Sequence, residues 1–134
     1  MEKDFDLWNK VKKNTDIIKE CVMIREGEII WCRIGINIGC ETLGKGKYYR
    51  RPILVLRKFS KNSFLGIPLT KQEKKGDWYY KIEKEGIRNF LILNQTRSFD
   101  VKRLENKLYE ISEKELLKIK IKYCELILKN TKAR

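Results

Sequence analysis

A chain of 134 residues, 42% of them apolar, suits one domain around one core, and its 37% charged residues are interleaved with the apolar ones, which argues against a long disordered chain. The formal charge of +13 favours a polyanionic partner, with a Lys-rich solvated surface as the plainer alternative. There is no histidine, the four cysteines lack zinc-site spacing, and no apolar run reaches the ~18 residues of a membrane span, which argues against a His- or Cys-based metal site and against a bilayer-spanning helix.

Residues Met1 to Asp6 are acidic and carry no apolar export segment. The expectation is a soluble, cytoplasmic protein with free, mostly buried thiols, no metal and no cofactor. Without histidine, any catalysis falls to Arg, Lys, Tyr, Thr, Ser, Cys or carboxylates.

The spacing of Phe5, Trp8, Val11, Thr15, Ile18 and Val22 predicts a helix over 4–22, with five acidic and five basic residues between Met1 and Val22. It forms an extension, residues 1–24, packed on the core or on another chain, ahead of a main domain over 25–130. After a turn at Arg25 to Glu28, the run Ile29 to Ile34 reads as a buried strand. Gly35 to Arg51 is a long loop with four glycines, a length that often marks function.

Pro52 to Leu56 and Phe64 to Leu69 are the next strands, and Thr70 to Asp77 is a polar loop. Trp78 to Ile82 and Asn89 to Asn94 follow as strands, then polar residues and a turn around Asp100. Lys107 to Ile111 is a short last strand. Ser112 with Glu115 forms a capping box for a final helix. Leu117, Ile121, Cys124 and Leu128 share one face of that helix, widened by Leu116, Ile119, Tyr123 and Ile127. The tail 130–134 is expected to fray. Short strands with a helix at each end predict a compact β-barrel.

Between Thr42 and Gln72 stand eight cations and no carboxylate: Lys45, Lys47, Arg50, Arg51, Arg57, Lys58, Lys61 and Lys71. Such cations can hold a phosphate backbone, and interleaved aromatics can stack on unpaired bases. Core packing is the reading for Phe59 and Phe64. Tyr48 and Tyr49, in a Lys-rich glycine loop, remain open to either role.

Four segments in order resemble motifs of the MazF/PemK toxins of bacterial toxin–antitoxin pairs. They are Gly27-Glu28-Ile29-Ile30-Trp31; Gly39-Cys40-Glu41 with Arg51-Pro52-Ile53-Leu54-Val55-Leu56; Ile67-Pro68-Leu69-Thr70; and Asn94-Gln95-Thr96-Arg97-Ser98-Phe99-Asp100 with Lys102-Arg103-Leu104. The resemblance runs from Gly27 to Leu128 and omits the helix before Met23. It implies a mainly β fold with α, a small SH3-like barrel with a C-terminal helix, usually a homodimer. It implies a metal-independent endoribonuclease acting on single-stranded RNA, in which the 2′-hydroxyl attacks the adjacent phosphorus and leaves a 2′,3′-cyclic phosphate and a 5′-hydroxyl. It also implies an antitoxin partner, often acidic, whose tail covers the RNA groove.

Carried over residue by residue, the resemblance makes Arg51 and Thr70 catalytic, the guanidinium and the hydroxyl both meeting the phosphate. Glu41 borders the RNA path, pairing with Arg50 or Arg51 or forming a surface ion pair elsewhere, and Gln95 and Arg97 brace the site or touch RNA. With the cationic stretch, the expected RNA contacts are Glu41, Lys45, Lys47, Tyr48, Arg50, Lys71, Gln95 and Arg97. Asp100 and Arg103 read as an ion pair around the turn. The chain departs from the family at Thr42, where Gln is common, and in the extra stretch Lys45-Gly46-Lys47-Tyr48-Tyr49. Arg50 and Arg51 are adjacent, so a shift of one residue exchanges their roles; the arginine before proline favours Arg51. The other readings are a non-catalytic binder like the gyrase-poisoning CcdB, which shares the fold, and a relative that binds RNA without cutting it.

Overall fold

Residues 2–130 are described by a computed structural model. The tail expected to fray lies, from Thr131 onward, outside the described residues. The elements are α1 (Phe5–Asp16), β1 (Glu28–Arg33), β2 (Arg50–Lys58), β3 (Ser63–Thr70), β4 (Tyr79–Lys84), β5 (Ile87–Ile92), β6 (Arg97–Asp100), β7 (Leu104–Glu110) and α2 (Glu113–Leu128). Single 3₁₀ turns at Leu93–Gln95 and Val101–Arg103 flank β6.

All pairings are antiparallel, in the order β4-β5-β3-β2-β1-β7. One edge of β3 is shared: Ser63 to Gly66 pair with β6, and Leu69 and Thr70 pair with β5. The sheet curls without closing, since β4 and β7 end the path, so the expected barrel is an open one. Strand β6 lies where the sequence reads as a polar turn. Its alternation is nearly mute, because only Phe99 of its four residues is buried.

Two cores, one on each face, explain the near-continuous apolar runs of β1, β2 and β3. Ile29, Leu54, Leu56, Ile67 and Leu69 face one core, and Ile30, Cys32, Ile53, Val55 and Phe64 face the other. Full burial of such a side chain contributes about 1.5–3 kcal/mol. Phe64 is fully buried as expected, whereas Phe59 is 57% exposed in the β2–β3 turn. Of the cysteines only Cys32 is buried, and burial pushes its thiol up to about 12; Cys21, Cys40 and Cys124 are exposed, contrary to the expectation of mostly buried thiols.

Helix α1 starts at Asp4, whose carboxylate accepts from Leu7 N at 2.9 Å. It buries Trp8, Val11 and Thr15 and stops at Asp16, well short of the predicted Val22. Past Thr15 the stripe leaves the helix: its next member Ile18 is only half-buried, while Ile24 enters the second core as extended chain with Val22 packed against it. Burial outweighs local periodicity there.

Helix α2 starts at Ser112, whose hydroxyl accepts from Glu115 N at 3.1 Å. The return half of the expected box is replaced: the Glu115 carboxylate faces Tyr80, whose phenol is raised first by burial and then by that charge. The buried face is Leu116, Ile119 and Leu126 with Tyr123 beside them, and Leu117, Ile121, Cys124 and Leu128 are exposed. Both stripes satisfy a 3.6-residue period; contact with Ile29, Leu54 and Leu56 selects between them.

Candidate nucleic-acid interface

The adjacent arginines at the start of β2 separate by strand alternation. Cys32 stands opposite Arg51 and Arg33 opposite Arg50. Arg50 lies on the Trp31 face, its guanidinium 5.0 Å from the indole ring. It bonds Glu105 at 3.2 Å, and the same carboxylate takes Arg33 at 2.9 Å.

Arg51 falls on the other face. The β2–β3 register pairs Ile53 with Pro68, and continued by two residues it carries Arg51 toward Thr70. Arg51 Nε donates to the Leu43 carbonyl at 2.7 Å and Nη1 to the Leu69 carbonyl at 3.1 Å. Its Nη2 amino group makes no hydrogen bond among the described residues. Two main-chain acceptors thus hold the guanidinium through Nε and Nη1 and leave Nη2 for a ligand. Burial lowers its pKa below the ordinary value, but a guanidinium starts so high that it stays cationic at neutral pH.

Thr70 ends β3, half-buried. Its Oγ1 accepts from Gln72 N at 3.2 Å, which leaves the O–H free to donate.

A cleft of about 360 Å³ opens between these strand ends. Arg51, Thr70, Arg50, Lys45 and Lys71 all line it, so five of the expected site residues converge. Trp31, Gln72 and Asn89 line it too, without having been assigned a site role from sequence. Trp31 is already in the first-strand motif, and Asn89 is a buried polar residue of β5, held by a 3.3 Å bond from its Nδ2 to Tyr109 Oη. Asn89 follows Arg88 at the edge of the apolar run Phe90 to Leu93, so the local sequence gave no signal for its place in the cleft. No carboxylate lines the cleft. Among the described residues no three Cys, Asp or Glu side chains converge to hold a metal ion.

The remaining five lie outside that lining. Glu41 pairs with neither arginine; its carboxylate accepts from Ile38 N at 2.9 Å and closes its own loop turn. Gln95 braces the same loop, its Oε1 accepting from Thr42 N at 3.0 Å. Tyr48 is exposed, its ring between the Arg33 guanidinium at 4.8 Å and Lys47 Nζ at 5.5 Å. Arg97 lies over Phe99, 4.7 Å from the ring centre. Asp100 caps the second 3₁₀ turn through Lys102 N at 2.8 Å instead of pairing with Arg103, whose guanidinium bonds the Arg33 carbonyl at 3.0 Å.

A family model described as PemK-like, MazF-like toxin of type II toxin–antitoxin systems matches residues 25–127. The chain belongs to that family. MazF from Deinococcus radiodurans is 22% identical over 79% of this chain and 97% of its own, with a TM-score of 0.62. The MazE–MazF structure from the same organism matches at 19% identity over 79% and 96%, with a TM-score of 0.58. At such identities these likenesses establish the MazF-like fold. No curated protein matches the chain by sequence. Helix α1 precedes the matched range, and no described helix is long and apolar enough to cross a membrane.

Proposed function

We propose that this MazF/PemK-family protein is an endoribonuclease that cuts single-stranded RNA without a metal cofactor, through attack of the RNA's own 2′-hydroxyl. The observation that carries this reading is the clamped Arg51 guanidinium beside the Thr70 hydroxyl in a cationic cleft without a carboxylate. As the 2′-oxygen bonds to phosphorus and the 5′-oxygen departs, negative charge grows on the non-bridging oxygens. A cation already held in place meets that charge without reorganising. Arg51 supplies it, and the Thr70 O–H donates to the same phosphate. Lys45, Lys71 and Arg50 hold the flanking backbone, and Trp31 offers an apolar wall for a base. The products are a 2′,3′-cyclic phosphate and a 5′-hydroxyl.

The same electropositive cleft suits an acidic antitoxin segment, which would compete with RNA for it. MazF of Deinococcus radiodurans is found with MazE, and we carry an antitoxin partner to this chain, together with a cytoplasmic homodimer. In this proposal residues 25–130 form the toxin domain and 1–24 an accessory extension. The deciding experiment incubates the purified chain and its Arg51→Ala variant with a mixed-sequence RNA in excess chelator and maps the ends. Cutting by the parent alone, with cyclic phosphate and 5′-hydroxyl ends, is the expected result. No cutting across a broad RNA set would overturn the proposal and turn attention to gyrase binding.

A further inference from the structure

Helix α1 contributes no residue to the cleft lining, yet it is firmly packed. Its buried residues Trp8 and Val11 rest on the loop between β1 and β2, against Ile36, Leu43 and Tyr49. The Trp8 ring fills the space left by Gly35, where an added Cβ would stand 2.3 Å from two ring carbons. Tyr49 meets the ring edge-on at 5.6 Å, in a left-handed conformation (φ 52°) disfavoured for a residue with a side chain.

The loop is tied down over this ring. Gly35 N donates to the Tyr49 carbonyl at 3.1 Å, and Gly44 N donates to the Gly35 carbonyl at 2.6 Å. Lys3 reaches from the residues preceding α1 to the Asn37 carbonyl at 2.5 Å, and the Asn37 amide donates to the Thr42 carbonyl at 2.8 Å. The next residue is Leu43. Its side chain belongs to the Trp8 cluster, and its carbonyl accepts from Arg51 Nε.

We infer that α1 is a positioning device for Arg51, with Trp8 as the positioning residue acting through the Leu43 carbonyl. The catalytic part of this inference rests on the ribonuclease reading. Without the indole, Ile36 and Leu43 lose their buried partner and Tyr49 loses the ring that holds its backbone. The Leu43 carbonyl then wanders, and Arg51 keeps only the Leu69 carbonyl and swings within the cleft. A misplacement of about 1 Å costs up to about 10²-fold in rate. Because α1 stays off the cleft lining, substrate binding is little changed.

The test uses the full chain as parent, Trp8→Ala, Trp8→Phe and, should Trp8→Ala not fold, Val11→Ala. Hydrogen exchange is read at Gly35, Gly44 and Lys45 against the core strands, and cleavage kinetics on an RNA that the parent cuts. The expected result for Trp8→Ala is faster exchange confined to the loop, a fall in kcat of about ten- to a hundredfold with KM within about twofold, and recovery of most of the rate by Trp8→Phe. Unchanged loop exchange overturns the inference, and so does faster exchange with unchanged kcat, or a loss residing wholly in KM. If the parent cuts no RNA, the ribonuclease reading fails separately, and exchange alone decides whether α1 holds the loop that carries Leu43.

Discussion

The cleft and the α2 side of the molecule carry the same kinds of cation but treat them differently. Around α2, Lys120 bonds Glu26 at 2.9 Å and Lys129 bonds Asp77 at 3.0 Å, and on β7 Lys107 bonds Glu28 at 2.8 Å. At the cleft, Arg51, Lys45 and Lys71 have no carboxylate partner among the described residues, and only Arg50 is paired, to Glu105. Lack of a partner alone does not mark the cleft, since Lys114, Lys118 and Lys122 of α2 also have no carboxylate partner among the described residues. The cleft differs in holding a half-buried arginine on main-chain carbonyls with no carboxylate in its lining. The net charge of +13 is therefore a poor guide to binding until it is divided by place.

The comparison breaks first at Arg51. Arg51→Ala is expected to lower kcat by about 10²–10³-fold, with a stability loss of about 1–3 kcal/mol from the two carbonyls that lose their donor, and a rate within about threefold of the parent would remove Arg51 from the chemistry. Thr70→Val, which keeps the shape and deletes the hydroxyl, should lose about ten- to a hundredfold in kcat, read by single-turnover cleavage. Replacing Lys45 and Lys71 together with Ala should weaken RNA binding with less effect on kcat. The salt slope should fall by about 1.4, about 0.7 for each phosphate contact on a single strand. An unchanged slope would place the RNA elsewhere.

On the α2 side the effects should be smaller and should concern stability alone. Glu26 is opposed by its own burial, but bonds to Lys58 N and Lys120, with Arg57 nearby, still hold its pKa below the ordinary carboxylate value. A folded pKa lowered in this way contributes stability that is present above the unfolded value and is lost as pH falls through the folded one. Glu26→Gln should therefore cost about 1 kcal/mol at neutral pH and nothing in strong acid, by denaturant titration at several pH values. Lys129→Ala, at an exposed pair, should change stability by less than about 1 kcal/mol and leave cleavage untouched. A large loss of RNA affinity in Lys129→Ala would contradict the division between the two sides.

The candidate cleft was legible mainly at the facing ends of β2 and β3, although Lys45 of the long loop joins its lining and Arg97 of β6 does not. Arg51 before Pro52 and Thr70 after Leu69 sit at strand ends, where pairing and alternation dictate which side chains meet. Glu41, Lys47 and Tyr48 lie on the long loop, whose path depends on what packs beneath it, and the structure gives Glu41 to Ile38 N and Tyr48 to two cations. Asn89 belongs to the cleft only because β5 pairs with the last residues of β3, a contact invisible in a local window.

The amino-acid sequence by itself determined the mainly β character, the order of every strand but β6 along the chain, the two terminal helices and the cationic stretch, because periodicity, turn residues and charge are local properties. Only the tertiary structure decided which stripe of α2 is buried, where α1 ends, that the sheet stays open, and that Arg50 and Arg51 part to opposite faces of one strand end. Each of those choices sets two locally acceptable arrangements against each other, and the free energy that separates them comes from contacts between residues distant in the chain.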